Sequence, residues 1–193
     1  MSTLVISSSL KPVSRSRILA REAQRIASES GPSTLIDLRD HPLPFADGAT
    51  FGLPAVEALA AQIRAASVIL LAAPVYNYDL NAVAKNLIEH TGKAWEDKVV
   101  GFLVAAGGQR SYVAVQIFAG SLALDFRSLV VPRYVYATRE AFQGEELVDL
   151  EIRSRIASLV YASTHLARAL ATIPAVVAVT AVTAPAAPAR STV

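Results

Sequence analysis

The stretch that most constrains this chain is residues 68–92, VILLAAPVYNYDLNAVAKNLIEHTG. It opens on a continuous apolar run, 68–73, closed by Pro74, the pattern of a strand buried on both faces of a parallel sheet. Tyr76, Asn77, Tyr78 and Asp79 then place hydrogen-bonding groups and two aromatic rings on a turn. Leu80, Val83, Ala84, Leu87 and Ile88 follow at helical spacing. In an open α/β sheet, ligands sit outside the carboxyl ends of the strands, so this polar loop is where a site is expected.

The chain before it repeats the pattern. Residues 3–6 form a short apolar run, followed by Ser7, Ser8, Ser9, Lys11, Pro12, Ser14, Arg15, Ser16 and Arg17, and then by Ile18, Leu19, Ala23 and Ile26 at helical spacing. Ser14 or Ser16 can cap that helix. Three cations, Lys11, Arg15 and Arg17, stand at its start. Positive charge there costs about 0.3–1 kcal/mol per group unless an anion sits among the cations and the free backbone N–H groups. The loop therefore reads as built around a phosphate. Residues 33–38 give a second strand, 39–52 a long loop rich in Pro and Gly, and 53–66 a helix burying Val56, Leu59, Ala60 and Ile63.

After the central stretch, residues 98–106 (KVVGFLVAA) form another buried strand running into Gly107, Gly108, Gln109, Arg110 and Ser111. Paired glycines permit positive φ and close backbone approach, while Gln109 and Ser111 supply side-chain polarity, so this loop is the second wall of the same crevice. Residues 112–126 are apolar almost all round, which implies a second burial surface and hence a subunit interface, unless the tail or a neighbouring helix covers it. A fifth strand, 129–138, is bent or split around Pro132, which favours an edge position. Residues 142–146 read as a polar connection, and Leu150, Ile152, Ile156, Leu159, Val160, Leu166 and Leu170 mark a last helix ended by Pro174. The domain is expected over 1–172, with 173–193 a poorly ordered Ala/Val/Pro-rich tail.

Five strands alternating with five helices specify a three-layer α/β domain with a parallel sheet. There is no cysteine, so disulfides and thiol chemistry are excluded. A net charge of +2 with scattered Lys and Arg gives nucleic-acid binding little support. No signal peptide is visible, and Pro174, Pro185 and Pro188 argue against a membrane span in the tail, so the expected location is cytoplasmic. The chain lacks G-x-G-x-x-G, a P-loop and G-x-S-x-G, and His41, His90 and His165 have no metal-ligand spacing.

Pro74, Tyr76, Asn77, Lys85 and Asn86, a P-x-Y-N followed by K-N, resemble the signature of the NAD(P)H-dependent FMN reductases, a flavodoxin-like family. The serine-rich loop is similar to that family's phosphate loop, G-S-x-R-x-x-S-x-N, with Ser8 at the glycine, Lys11 at the arginine, and Ser14 and Ser16 on the polar positions. Gly107 and Gly108 resemble its Gly-Gly flavin loop. The resemblance covers residues 4–138 and implies a five-stranded sheet of order 2-1-3-4-5 with helices on both faces.

It further implies non-covalent FMN, its phosphate near Ser9, Lys11, Ser14, Arg15 and Ser16. The flavin ring would lie against Pro74, Val75, Tyr76, Asn77 and Tyr78 on one side and Ala106, Gly107, Gly108, Gln109 and Ser111 on the other. Hydride would pass from the nicotinamide C4 of NADPH or NADH to the flavin N5, with no side chain obliged to act as acid or base. Tyr78 stands where the family commonly has a small residue, which narrows the nicotinamide side of the ring or stacks on it. The expected activity is FMN reduction in a homodimer or homotetramer, supplying a flavin-dependent monooxygenase. A quinone, azo-dye or chromate reductase shares these motifs. A flavodoxin-type electron carrier and a flavin-free interaction module are the readings from other classes.

Overall fold

The computed structural model describes residues 1–48 and 52–173. Its strands are β1 (Thr3–Ser7), β2 (Ser33–Asp37), β3 (Val68–Tyr76), β4 (Asp79–Leu80), β5 (Val99–Ala105), β6 (Leu129–Val130), β7 (Val135–Ala137), β8 (Phe142–Gln143) and β9 (Glu146–Leu147). The helices are α1 (Arg15–Ser28), α2 (Pro54–Ala65), α3 (Ala82–Thr91), α4 (Gln116–Phe126) and α5 (Leu150–Ala171). The main sheet runs β2-β1-β3-β5, and both β6 and β7 pair parallel with β5 on its far side. The expected fifth strand is thus present in two pieces, interrupted around Pro132 and Arg133, whose φ is 59°. With those pieces taken together, the parallel order is the flavodoxin-like one.

Strand alternation divides the core. Leu4, Ile6, Ile69, Leu71, Ala73, Val100, Phe102 and Val104 face the layer that includes α2, α3 and α4. Val5, Val68, Leu70, Ala72, Val99 and Leu103 face α1 and α5. Gly101 belongs to the second set by parity. A Cβ there would lie 2.9 Å from Leu70 Cδ2 and 3.1 Å from Leu159 Cδ1, so its absence lets α5 settle on the sheet. Opposite, Trp95 is fully buried and its Nε1–H donates to Thr91 Oγ1 at 2.8 Å.

Three local features differ from the sequence reading. β3 does not stop at Pro74 but continues to Tyr76, with Pro74 paired to Ala105. Ala72 accepts from Ser8 N–H on the β1 side, so two residues on the Pro74 nitrogen faces that side too, where β1 has already ended at Ser7. No ladder hydrogen bond is lost. Residues 112–115 are turn, and α4 begins only at Gln116. Residues 142–147 form the β8–β9 hairpin, closed at Gly144 with φ 57°.

The outward side of α4 is uncovered among the described residues, with Ile117 76% and Leu124 89% exposed. Neighbouring helices therefore do not account for its apolar character. The expected tail lies outside the described residues except for its first member, Ile173. No helix among the described residues is long and apolar enough to cross a membrane.

Candidate active site

The adjacency of β1 and β3 brings their following loops to one crevice. A cavity of about 520 Å³, within the ordinary range of ligand pockets, lies there. Ser9, Lys11, Ser14, Arg15 and Ser16 line one end; Pro74, Val75, Tyr76, Ala106 and Gly107 line the rest. Val13, Ile18, Ala105 and Gly144 complete the wall. Gly144 arrives on the β8–β9 hairpin. Its signal in the sequence was a glycine in a two-residue turn between Phe142 and Leu147.

At the phosphate-like end, Ser14 is the N-cap of α1 and accepts from Arg17 N–H, and its hydroxyl lies 3.0 Å from that of Ser16. The amides of Arg15 and Ser16 belong to the first turn, where a helix offers no internal carbonyl. Lys11 and Arg15 are exposed cations on the rim. No carboxylate or imidazole lines the cavity. This donor set suits a dianionic phosphate, and Pro74 to Tyr76 with the adjacent Ala105 to Gly107 give the rest of the cavity a largely apolar lining that suits a ring.

Arg17, the third cation of the sequence reading, is turned the other way. It is 4% exposed and bonded to Asp37 and to carbonyls of its own loop. Ser8 also points away from the crevice. Its hydroxyl donates to Asn81 Oδ1 at 2.7 Å, and Asn81 Nδ2 donates back to the Ser8 carbonyl at 2.8 Å. Asn81 precedes α3, so this buried pair ties the first loop to the third. Nothing beside Asn81 in the chain points to this role, because its partner lies 73 residues earlier.

The PVYNYD segment is a hairpin rather than an open loop: Val75 pairs with Leu80 and Tyr76 with Asp79. Asn77 and Tyr78 form its two-residue turn with φ 51° and 66°. Both values are left-handed, as a type I′ turn demands, and a tyrosine there is strained by about 1 kcal/mol or more. Tyr78→Gly is expected to raise the melting temperature by roughly 2–4 °C, as relief of about 1 kcal/mol does in a chain of this size. A thermal melt showing no rise would mean that the turn is not strained. Asn77 and Tyr78 stand beyond the lining of the cavity, while the Lys11 ammonium lies 5.8 Å from the centroid of the Tyr76 ring.

Gly107 and Gly108 do not use positive φ; Gly108 is extended at −171°. A Cβ on either would meet nothing within 4 Å, so their contribution is an open rim rather than a special turn. Gly108 and Gln109 line a neighbouring polar cavity that shares Gly107 with the first, and Ser111 lines neither. Below this loop, Tyr136 donates its hydroxyl hydrogen to the Gly108 carbonyl, and Tyr112 stacks on Tyr134 at 5.2 Å.

Burial pushes the Tyr134 hydroxyl from 10.0 up to about 12, with Tyr112 and Tyr136 adding to the shift. The folded state thus favours neutral Tyr134. Its contribution to stability is intact below the unfolded value and is lost as pH rises from 10.0 through about 12. Tyr134→Phe is expected to remove a component with that late midpoint from the tyrosinate absorbance titration. If the absorbance lost titrates near 10.0 instead, Tyr134 is not desolvated in solution.

A parallel sheet of this order, with a cavity at the carboxyl ends of its switch-point strands, is the flavodoxin-like architecture. A sequence model described as NADPH-dependent FMN reductase matches residues 1–143. The chain is 29% identical over 149 residues to an NAD(P)H-dependent FAD/FMN reductase of Geobacillus thermodenitrificans strain NG80-2, covering 75% of this chain and 80% of that one. It is 30% identical over 186 residues to a probable NADPH:quinone oxidoreductase 2 of Oryza sativa subsp. japonica, covering 88% and 90%. A solved flavodoxin, WrbA-like protein from Agrobacterium tumefaciens shares the fold with a TM-score of 0.64 at 17% identity, covering 87% of this chain and 98% of that one. The chain belongs to the NADPH-dependent FMN reductase family and is an NAD(P)H-dependent oxidoreductase of the flavin and quinone reductase group.

Proposed function

We propose that the chain reduces FMN with a nicotinamide nucleotide as hydride donor. The observation that carries this reading is the lining of the crevice: hydroxyls, helix-start amides and two cations at one end, the carboxyl ends of β3 and β5 at the other, and no carboxylate or imidazole among them. Ser9, Ser14, Ser16, Lys11 and Arg15 hold the phosphate. Pro74, Val75 and Tyr76 with Ala106 and Gly107 hold the ring, and Asn77, Tyr78, Gly108, Gln109 and Ser111 stand around its outer edge. Bound FMN would supply hydride acceptance at N5, a chemistry that needs no proton donor from the chain. The residues therefore act by orientation: they fix the ring against the ends of β3 and β5 and leave its outer face open to the nicotinamide.

Second copies of the chain meet through Ile117 and Leu124 on α4, giving a homodimer or homotetramer, and the reduced flavin supplies a monooxygenase. The rice relative's name favours a second reading in which the flavin stays bound and a quinone takes the electrons.

Loss of NADPH or NADH absorbance in air, with and without added FMN and with a water-soluble quinone, separates these. Turnover that requires and saturates with FMN supports flavin as substrate. Turnover with quinone at a fixed, bound flavin supports the second reading. No turnover with either nucleotide, despite quenching of FMN fluorescence, overturns both and points to an electron carrier.

A further inference from the structure

The sequence places Arg17 among the cations expected to face an anion, yet the folded chain buries it. All five of its N–H groups are engaged, which is the full donor capacity of a guanidinium. Nε donates to Asp37 Oδ2; Nη1 donates to the Lys11 carbonyl at 2.8 Å and the Pro12 carbonyl at 2.9 Å; Nη2 donates to the Ser9 carbonyl at 2.8 Å and to Asp37 Oδ1 at 3.4 Å. Three loop carbonyls are thereby drawn to one side, and the Asp37 carboxylate at the end of β2 balances the charge.

Peptide geometry gives this a consequence for anion binding. In a trans peptide the carbonyl of one residue is antiparallel to the N–H of the next. No cis peptide is present among the described residues. Holding the Ser9 and Pro12 carbonyls toward Arg17 therefore turns the N–H groups of Leu10 and Val13 away from it, and Val13 lines the crevice. The Lys11–Pro12 peptide has no N–H to offer. Its carbonyl could only repel an anion, and Arg17 takes it out of the crevice.

We infer that Arg17, held by Asp37, is the positioning residue of the phosphate loop: it never touches the phosphate but sets which ends of the loop peptides face it. This rests on the reading of the crevice as a flavin phosphate site. Arg17 selects for the phosphorylated flavin, and the discrimination between FMN and riboflavin is its signature.

The experiment is titration of FMN and of riboflavin, followed by flavin fluorescence, into the full-length protein and its variants. Arg17→Met is expected to weaken FMN binding by about tenfold or more while leaving riboflavin within about twofold, because charge-assisted contacts to the loop are lost and ring contacts are not. Arg17→Lys recovers only part of the loss, since one ammonium cannot fan across three carbonyls and a carboxylate. Asp37→Asn, which keeps the carbonyl contacts, shows the same selectivity at smaller size and serves as the readout if Arg17→Met does not fold. Equal weakening of both flavins in these variants, or an unchanged FMN preference, overturns the role of Arg17. If the parent protein binds riboflavin as tightly as FMN, the phosphate reading itself falls.

Discussion

Asn81→Ala is expected to lower the unfolding free energy by about 2–4 kcal/mol, because it leaves both the Ser8 carbonyl and the Ser8 hydroxyl short of a buried partner. Ser8 is fully buried and Asn81 5% exposed, so water cannot readily substitute. At this chain length, the loss corresponds to roughly 4–16 °C in melting temperature. The Ser8 hydroxyl retains a 3.2 Å contact to the Ala72 carbonyl, which keeps the effect from being larger. Because the pair ties the loop after β1 to the start of α3, flavin affinity should fall together with stability. The Ser8→Ala, Asn81→Ala double variant is the check: its cost should be smaller than the sum of the Ser8→Ala and Asn81→Ala costs, since the hydroxyl-to-amide bond is counted in both singles, while the Ser8 carbonyl is orphaned only by the loss of Asn81. Strict additivity in thermal melts would show that the two side chains do not hold each other in solution.

Trp95→Ala is expected to cost about 3–5 kcal/mol, the range for removing a fully packed aromatic side chain. Trp95 lies in the core on the α2, α3 and α4 side, and its carbonyl also accepts from Ser128 Oγ at 2.8 Å. The Thr91 hydroxyl still donates to the Leu87 carbonyl after the change, so the loss is one of packing rather than of an orphaned donor. It is the chain's single tryptophan, so denaturant unfolding must be followed by far-ultraviolet circular dichroism. Trp95 sits just before β5, at the opposite end of the sheet from the crevice. Flavin affinity at temperatures where the variant is folded should therefore match the parent. A loss below about 1 kcal/mol, or a flavin defect in the folded variant, would contradict this assignment.

The face of α2 made by Val56, Leu59, Ala60 and Ile63 follows from helical spacing alone, and all four are buried. The β1 and β3 loops are legible as a crevice because hydrophobic runs followed by polar turns obey a general rule for parallel sheets. What escaped the sequence depends on partners far along the chain. Arg17 looks like an anion ligand until Asp37, twenty residues later, is brought beside it. Pro74 looks like a strand terminator until β1 is seen to end first. The turn at Asn77 and Tyr78 hides because neither residue is glycine, the usual marker of left-handed backbone.

The division of the last sheet position into β6 and β7 bears on how the protein behaves when crowded. A long, flat outer strand offers an unbroken row of N–H and C=O groups on which another chain can grow. Here that margin is broken into pieces of two and three residues, separated by a stretch containing Pro132 and the left-handed Arg133. An incoming strand would find no continuous ladder to extend. The interruption guards that margin against strand addition, whereas the sheet's other margin, β2, runs unbroken for five residues.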